Sequence, residues 1–297
     1  MIGSRVQVHS FGVAFLGYLA VCLSLCLAVW PQSIFAVDQK ETAEDFIQRA
    51  KKAIKNSEWD RAGAALKQAV KLNPKAAEAY FLLSEIHEHF GRIDIAIEGL
   101  EIAARLQPVY PEAHLMLAQL LLKKWKSEQA RKEALTAMAQ GAKPIEGYAI
   151  LGDVAYEQSR FKEAIEHYET ALRHESSDQE VAKQLQTKIE ITRQFAKLIP
   201  EQLPDGVVRP KPLNNPYPRY TEEARQLKIQ GRVQLAVLVS EQGKVVEAKV
   251  FSGLGHGLDE SAVAAVRALK FSPATKDGKP IPYWIRTVVE FELRENK

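Results

Sequence analysis

The middle of the chain carries a helical alternation of hydrophobic and polar residues, and this pattern itself repeats. Small and bulky side chains recur at a fixed spacing of 34 residues. Small residues at fixed places allow two helices to cross closely, and bulky residues fill the space beside the crossing. A sustained period of this length predicts an array of helix-turn-helix units. The columns are Ala62, Ala96, Ala130 and Ala164; Ala69, Ala103, Ala137 and Ala171; and Phe46, Tyr80, His114 and Tyr148.

The fourth copy of the pattern reads YAILGDVAYEQSRFKEAIEHYETAL. With its Leu151–Gly152 pair, Tyr156, Ala164 and Tyr168, it resembles the tetratricopeptide repeat. The resemblance implies an all-α solenoid of four repeats. We place these at 43–76, 77–110, 111–144 and 145–178, followed by a capping helix at 179–199 with a polar outer face, as the end of a solenoid requires.

Six prolines then fall within nineteen residues, from Pro200 to Pro218. Proline lacks a backbone donor and has a fixed φ, so this spacing excludes a regular helix. It predicts a stiff, extended linker at 200–215. The remaining residues, 216–297, form a separate small domain.

In this last segment the period of the pattern changes from helical to alternating. Val233, Leu235, Val237 and Val239 share one face of a strand, and the EQGK turn begins a return strand. A helix with an apolar stripe follows, and then a final strand, YWIRTVVEFEL. Ile285, Val289, Phe291 and Leu293 would face the helix. The pattern predicts an α+β domain with an antiparallel sheet.

Between the return strand and the helix lie Gly253, Gly255 and Gly257, in the place where phosphate-binding loops begin. Such loops need GxGxxG or GxxxxGK[ST] spacing in a parallel sheet. Here the strand belongs to a hairpin, and Asp259 and Glu260 stand in the first helical turn, where they would repel phosphate. We therefore interpret the glycines as a flexible strand-to-helix turn.

The C-terminal segment, from about 216 to 293, resembles the C-terminal domain of the TonB family. One position departs from the family pattern, since Thr221 replaces the proline expected after Tyr220. The matching residues are Pro218, Tyr220, Ala224, Arg225, Gly231, Val233, Val239, Gly243, Val245, Val250, Ser252, Gly253, Leu258, Asp259, Ala262, Ala265, Val266, Phe271, Pro273, Ala274, Asp277, Gly278, Lys279, Pro280, Phe291 and Leu293.

This resemblance implies that the last strand lies at an open sheet edge and accepts a segment of an outer-membrane TonB-dependent receptor, or of another envelope protein, as an added strand. Two other roles stay open: these residues only build the sheet and its core, or the edge pairs within a homodimer. The expected edge residues are Ile285, Arg286, Thr287, Val288, Val289, Glu290 and Phe291, with an auxiliary contact at Tyr217, Pro218, Arg219 and Tyr220.

The repeats offer a second surface, because the tetratricopeptide resemblance implies a concave groove lined by fixed positions of each unit. In this chain those positions are rich in acids, which favours a basic or neutral partner segment. The alternative is a charged inner face that is only solvated. The groove residues are Glu78, Phe81, Glu85, Glu88, Glu112, Glu146, Asp153, Tyr156 and Glu157.

Residues 1–36 contain an uncharged stretch of twenty residues, 11–30, that indicates membrane targeting. It fits either a signal peptide cut after Ala36 or an N-terminal inner-membrane anchor. Both alternatives place the rest of the chain in the periplasm. Both cysteines, Cys22 and Cys26, lie in this segment, so the exported part has no disulfide or thiol chemistry.

Composition adds little further chemistry. A net charge of +3 is too small to argue for a nucleic-acid partner. His87 and His89 are two residues apart, which sends their side chains in divergent directions on a helix, and no two histidines have the spacing of three or four that metal pairs on a helix need. Ser252 and Ser261 have no neighbouring base. We expect neither an enzyme nor a cofactor.

Two functions remain. The first is a periplasmic TonB-like energy transducer or adaptor, whose last strand binds an outer-membrane partner while its repeats recruit a second protein. An inner-membrane proton-driven motor would be a further partner if the N-terminal segment stays as an anchor. The second is a periplasmic scaffold for envelope assembly, built from the same modules without energy coupling.

Overall fold

The computed structural model describes residues 41–174, 179–215 and 217–293. The targeting segment expected at 1–36 lies outside these residues. In the ranges described, no helix is both long enough and apolar enough to cross a membrane. The chain forms a helical array followed by a small domain with two antiparallel sheets.

Four antiparallel helix pairs build the array, and a longer helix closes it, as the sequence predicts. Each pair has a 13- or 14-residue first helix and a second helix of similar length. The helices are α1 (Ala43–Lys55), α2 (Trp59–Leu72), α3 (Ala77–His89), α4 (Ile93–Leu106), α5 (Pro111–Lys123), α6 (Ser127–Ala139), α7 (Pro144–Glu157), α8 (Phe161–Arg173) and the closing α9 (Gln179–Leu198).

The two alanine columns explain how the pairs stack. All eight of these alanines are fully buried, since each is 0% exposed. A methyl side chain lets the backbones of neighbouring helices approach, and the apolar residues around it fill the remaining space. The periodic alanines of the sequence therefore mark the helix crossings.

The turn inside each repeat follows a second periodic rule that the sequence reading missed. Ser57, Gly91, Trp125 and Ser159 are again 34 residues apart, and each has a positive φ of 59 to 70°. A residue in this left-handed conformation ends an α-helix and satisfies its last carbonyls. The next residue's N–H then bonds five residues back, as from Glu58 to Ala53 at 2.8 Å.

The C-terminal domain is built on a three-stranded antiparallel sheet with the order β3-β2-β6. Strand β2 (Gly231–Val239) pairs with β3 (Val245–Ser252) on one side and with β6 (Tyr283–Phe291) on the other, both antiparallel. Helix α11 (Leu258–Arg267) covers one face of this sheet. The core between them contains Val233, Leu235, Val237, Leu258, Ala262, Val266 and Phe291.

A second, smaller sheet was not predicted. It has the order β1 (Val207–Val208), β4 (Ala274–Lys276), β5 (Lys279–Ile281), so the expected linker supplies one of its strands. Further along, the Leu213 N–H donates to the carbonyl of Lys270, and the Ser272 N–H donates to that of Lys211. Residues 207–213 are thus extended, but they lie on the C-terminal domain. A short helix, α10 (Glu222–Gln226), follows.

The glycine-rich turn before α11 is closed by a carboxylate of its own helix. The Asp259 side chain accepts hydrogen bonds from the N–H groups of Leu254 (2.7 Å) and Gly255 (3.3 Å). A Cβ on Gly253 would lie 2.1 Å from this carboxylate. Gly257 has a φ of 76° at the N-cap of the helix. The glycines therefore permit the positive φ and the close approach that this turn requires.

Two helical glycines allow a direct test of the packing in the array. A Cβ on Gly152 would lie 2.3 Å from the ring of the buried Tyr168, whereas one on Gly63 meets nothing within 4 Å. We expect Gly152→Ala to lower the free energy of unfolding by about 1–3 kcal/mol through overpacking. Gly63→Ala should raise it by about 0.5–1 kcal/mol through backbone entropy. Urea unfolding measures both, and equal effects of the two substitutions would contradict this packing.

Candidate functional site

Strand β6 lies at one edge of its sheet, whose order is β3-β2-β6. Its nine residues pair with β2 in continuous register, from Tyr283 opposite Val239 to Phe291 opposite Gly231. Along its other side, no backbone partner occurs within the described ranges. In an antiparallel strand, alternate residues direct their N–H and C=O groups to opposite sides. Every second residue of β6 therefore presents free backbone groups outward, in the segment 285–291 where the family resemblance implies a binding edge.

A groove with a volume of about 1640 Å³ runs beside this free edge. Its opposite wall is formed by residues of the segment before α10, namely Arg209, Pro210, Pro212, Leu213, Asn214, Asn215, Tyr217, Pro218 and Tyr220. Ala265, Val266 and Leu269 of α11 line its apolar floor. Small-molecule sites typically have volumes of about 300–1,000 Å³, so this groove is larger than such a site, and it is lined by every residue from Tyr283 to Leu293.

Most of the residues expected to form an auxiliary contact belong to this wall. Tyr217 is 83% exposed. The Tyr220 ring meets that of Phe291 edge-on at 5.6 Å, and its hydroxyl donates to the carbonyl of Ile229. Burial raises the pKa of Tyr220, against the opposing charge of Arg225. Tyr217 is therefore available to a partner, whereas Tyr220 supports the end of the strand.

Pro218 and Arg219 complete this auxiliary set, and only the proline lines the groove. Arg219 is exposed, and its carbonyl accepts a hydrogen bond from the hydroxyl of Ser261 at 2.5 Å. This bond ties the segment to the first turn of α11.

Part of the sheet face opposite α11 is buried, because it packs on the end of the helical array. The rings of Phe251 on β3 and Phe195 on α9 are 4.0 Å apart. Ala236 on β2 is fully buried in the same cluster, and Trp284 on β6 packs against it. This contact joins the two domains through an apolar patch.

Arg286 supplies the polar part of the interface. Its guanidinium donates to the carbonyls of Tyr156 (3.1 Å) and Glu157 (2.6 Å) and to the Ser159 hydroxyl (3.1 Å). It also bonds the Glu157 carboxylate at 3.2 Å and the Gln234 side chain at 3.0 Å. These carbonyls end α7, where a positive charge is favourable. Arg286 thus caps a helix of the array from within the edge strand.

A further contact extends the interface to the third repeat. The Arg232 guanidinium lies 3.5 Å from the centre of the Trp125 ring and pairs with Glu290 at 3.1 Å. Trp125 is the left-handed residue of its repeat's turn. The sheet therefore contacts the turns of two successive repeats as well as the closing helix.

The concave groove predicted for the repeats is a second surface, distinct from the groove beside β6. Its acidic residues on the second repeat are partly neutralised by lysines. Glu78 pairs with Lys51 at 2.6 Å, and Glu88 pairs with Lys123 at 2.5 Å. Burial, and then the charge of Glu88, raise the pKa of Glu85. This part of the array remains acidic. It also contains the predicted groove residue Phe81, whose ring lies 5.2 Å from that of Tyr110.

Glu112 and Glu146 lie beyond these residues along the array. Glu112 is exposed and Glu146 is half-buried, 3.9 Å from the Lys143 ammonium group. At that distance in water the pair neutralises little charge. Both carboxylates therefore add to the negative charge of the concave groove of the repeats.

The last three predicted groove residues contact groups of the same chain. Asp153 accepts from the Tyr168 hydroxyl at 2.7 Å and from the Lys188 ammonium group of α9 at 2.7 and 2.8 Å. Tyr156 is buried against Phe161 and Phe195, and this burial raises its pKa. Glu157 is paired with Arg286. The closing helix and the sheet cover this end of the array, so these side chains serve the fold.

Comparisons with known proteins follow the same division of the chain. Residues 216–293 match the family model described as Gram-negative bacterial TonB protein C-terminal. Residues 47–98 and 90–144 match the tetratricopeptide repeat model. The chain joins tetratricopeptide repeats to a TonB-type C-terminal domain. Both families are scaffolds or transducers and not enzymes, as the sequence predicts.

Among curated relatives, Protein TonB of Vibrio cholerae is 35% identical over 77 residues, which is 26% of this chain and 32% of that protein. A tetratricopeptide repeat and J domain-containing co-chaperone, DNJ1 of Cryptococcus neoformans, is 22% identical over 167 residues, covering 52% of this chain and 32% of its own. The chain thus spans about a third of the length of these relatives.

Among solved structures, YrrB, described as a TPR protein with an unusual peptide-binding site, has 19% identity and a TM-score of 0.47. The match covers 54% of this chain and 80% of that one.

The interface makes a clear prediction. Removal of Arg286 leaves the Glu157 carboxylate, whose side chain is 17% exposed, without its cationic partner, although the Gln234 side-chain amide still donates to it at 2.9 Å. We expect Arg286→Ala to lower the free energy of unfolding by about 3–5 kcal/mol. The matched control is Arg232→Ala on the same sheet face, whose partner Glu290 is 43% exposed, with an expected loss of about 1 kcal/mol. Urea unfolding of the full chain measures both. If Arg286→Ala lowers the free energy of unfolding no more than the control does, the buried Arg286–Glu157 pair does not stabilise the interface as described.

Proposed function

We propose that this protein is a TonB-like adaptor of the cell envelope, which binds an extended segment of an outer-membrane transporter by β-strand addition at β6. The free backbone edge of β6 beside a peptide-sized groove carries this proposal. An added strand would satisfy the outward N–H and C=O groups, and the groove would receive its side chains.

The sequence relatives support the choice of partner. The match to Vibrio cholerae Protein TonB is 77 residues long, close to the length of the family match at 216–293, which contains β6. By analogy, the partner is an outer-membrane protein, and the site of action is the periplasm. Energy transduction would further require residues 1–36 to remain as an inner-membrane anchor that engages a proton-driven motor. Without that anchor, the same two modules would act as a passive adaptor.

The repeats would recruit a second protein through their acidic face. Glu78, Glu85 and Glu88 lie on the second unit and Glu112 on the third, outside the contacts that the sheet makes with the array. Lys51 and Lys123 neutralise two of these carboxylates. The remaining negative charge favours a basic segment, through complementary potential that mainly accelerates association.

Proline substitution on β6 tests strand addition. Proline removes a backbone donor, so it weakens a strand pairing wherever the lost N–H points to the partner. We expect Val288→Pro or Thr287→Pro to reduce binding of receptor N-terminal peptides to the full chain by about tenfold, since one strand hydrogen bond and the local geometry contribute about 1–1.5 kcal/mol. The two positions sample the two alternate sets of backbone groups. Fluorescence anisotropy of labelled peptides measures the change.

The matched control is Val246→Pro on β3, the opposite edge of the same sheet, where the side chain is 59% exposed. Peptide binding should be unchanged by this substitution, and circular dichroism should show which variants keep the fold. If folded β6 variants bind every peptide as well as the unmodified chain does, or if the β3 variant loses binding equally, β6 is not the binding edge.

A further inference from the structure

We infer that the repeat array forms one wall of the strand-binding groove, so that both domains contact the same bound segment. This inference rests on the proposed strand addition. The lining of the groove includes five residues from the end of the array, in addition to β6 and the segment opposite it. These are Glu157, Ser159, Ile199, Pro200 and Glu201.

The alternation of β6 shows how a bound strand would meet this wall. Val289 and Phe291 point to the side of α11 and are buried in its core. Trp284 and Arg286 point to the opposite side, where the array lies. A strand added in the plane of the sheet continues this alternation. One set of its side chains would therefore meet α11, and the other set would meet the array.

The two sides differ in chemistry, and this difference defines the segment that fits. On the helix side, the groove offers the apolar floor of Ala265, Val266 and Leu269. On the array side, the wall is formed by the half-buried Ser159 and the exposed Pro200 and Glu201. We therefore expect an extended segment with apolar residues at alternate positions and small or polar residues between them.

The wall is held in place by contacts within the protein that do not involve the bound segment. The Glu201 carboxylate accepts a hydrogen bond from the Lys162 N–H in the first turn of α8. Arg286 and the Phe251–Phe195 contact fix the sheet against the same end of the array. Because Arg286 belongs to the edge strand itself, the wall and the free edge form one preorganised site. Preorganisation lowers the entropic cost of binding.

A bulky side chain on the array wall tests this arrangement in the full chain. The probe is a synthetic peptide of alternating valine and threonine with lysine at both ends, nine residues long to match β6. We expect Glu201→Trp and, independently, Pro200→Trp to weaken its binding about tenfold, the size of an overpacking cost of about 1–3 kcal/mol. Anisotropy of the labelled probe gives the affinities.

Two controls isolate the steric effect. Glu201→Gln keeps the volume and the acceptor for the Lys162 N–H, so its affinity should be unchanged. Glu101→Trp places the same indole on an exposed site of α4, outside the groove, and should also bind normally.

Binding that is weakened by proline on β6 but unchanged in both wall variants would overturn the shared wall and leave strand addition intact. If the probe does not bind the unmodified chain, strand addition fails as well, and the shared wall fails with it. Weakening by the two wall variants alone, with both controls normal, supports the inference.

Discussion

The packing of the sheet on the end of the helical array is the constraint on which the rest of the arrangement depends. Its apolar part is the contact of Phe251 with Phe195, and its polar part is the Arg286 guanidinium at the end of α7. A cation among helix-terminal carbonyls and a carboxylate is well compensated, whereas either partner alone would be buried at a high cost. The interface therefore favours a single relative placement of the two domains.

This constraint divides the functions of β6 between its face and its edge. One side of the strand is packed on α11, and the other side holds the array through Trp284 and Arg286. Neither contact uses the outward backbone groups, which lie in the plane of the sheet. The strand can thus be fixed by its side chains and still offer its edge to a partner. The same geometry brings Pro200 and Glu201 to the border of the groove.

Much of this fold is readable from the sequence, because local patterns determine it. The buried alanines mark helix crossings at a fixed period, and Val233, Leu235 and Val237 form one face of a strand through simple alternation. Strand β1 was missed because two valines between prolines carry no periodic signal. The pairing of β1 with β4 joins residues about seventy positions apart, such as Val207 and Lys276.

The interface was missed for a related reason. Arg286 and Glu157 are 129 residues apart in the chain. The sequence pattern of a strand does not distinguish an arginine that is solvated from one that is buried in an ion pair. For that reason Asp153 and Glu157 also read as groove residues, although α9 and the sheet cover them. The edge position of β6 was expected only from the family resemblance, since alternation alone does not give strand order.

Amide hydrogen exchange of β6, followed by NMR in the full chain without any partner, tests the central claim most directly. The account predicts alternation along Tyr283–Phe291: amides that donate to β2 exchange slowly, and the intervening outward amides exchange fast. Uniform slow exchange along the strand would show that the edge is already paired and would contradict the account. Uniform fast exchange would show that β6 is not held in the sheet and would contradict it equally.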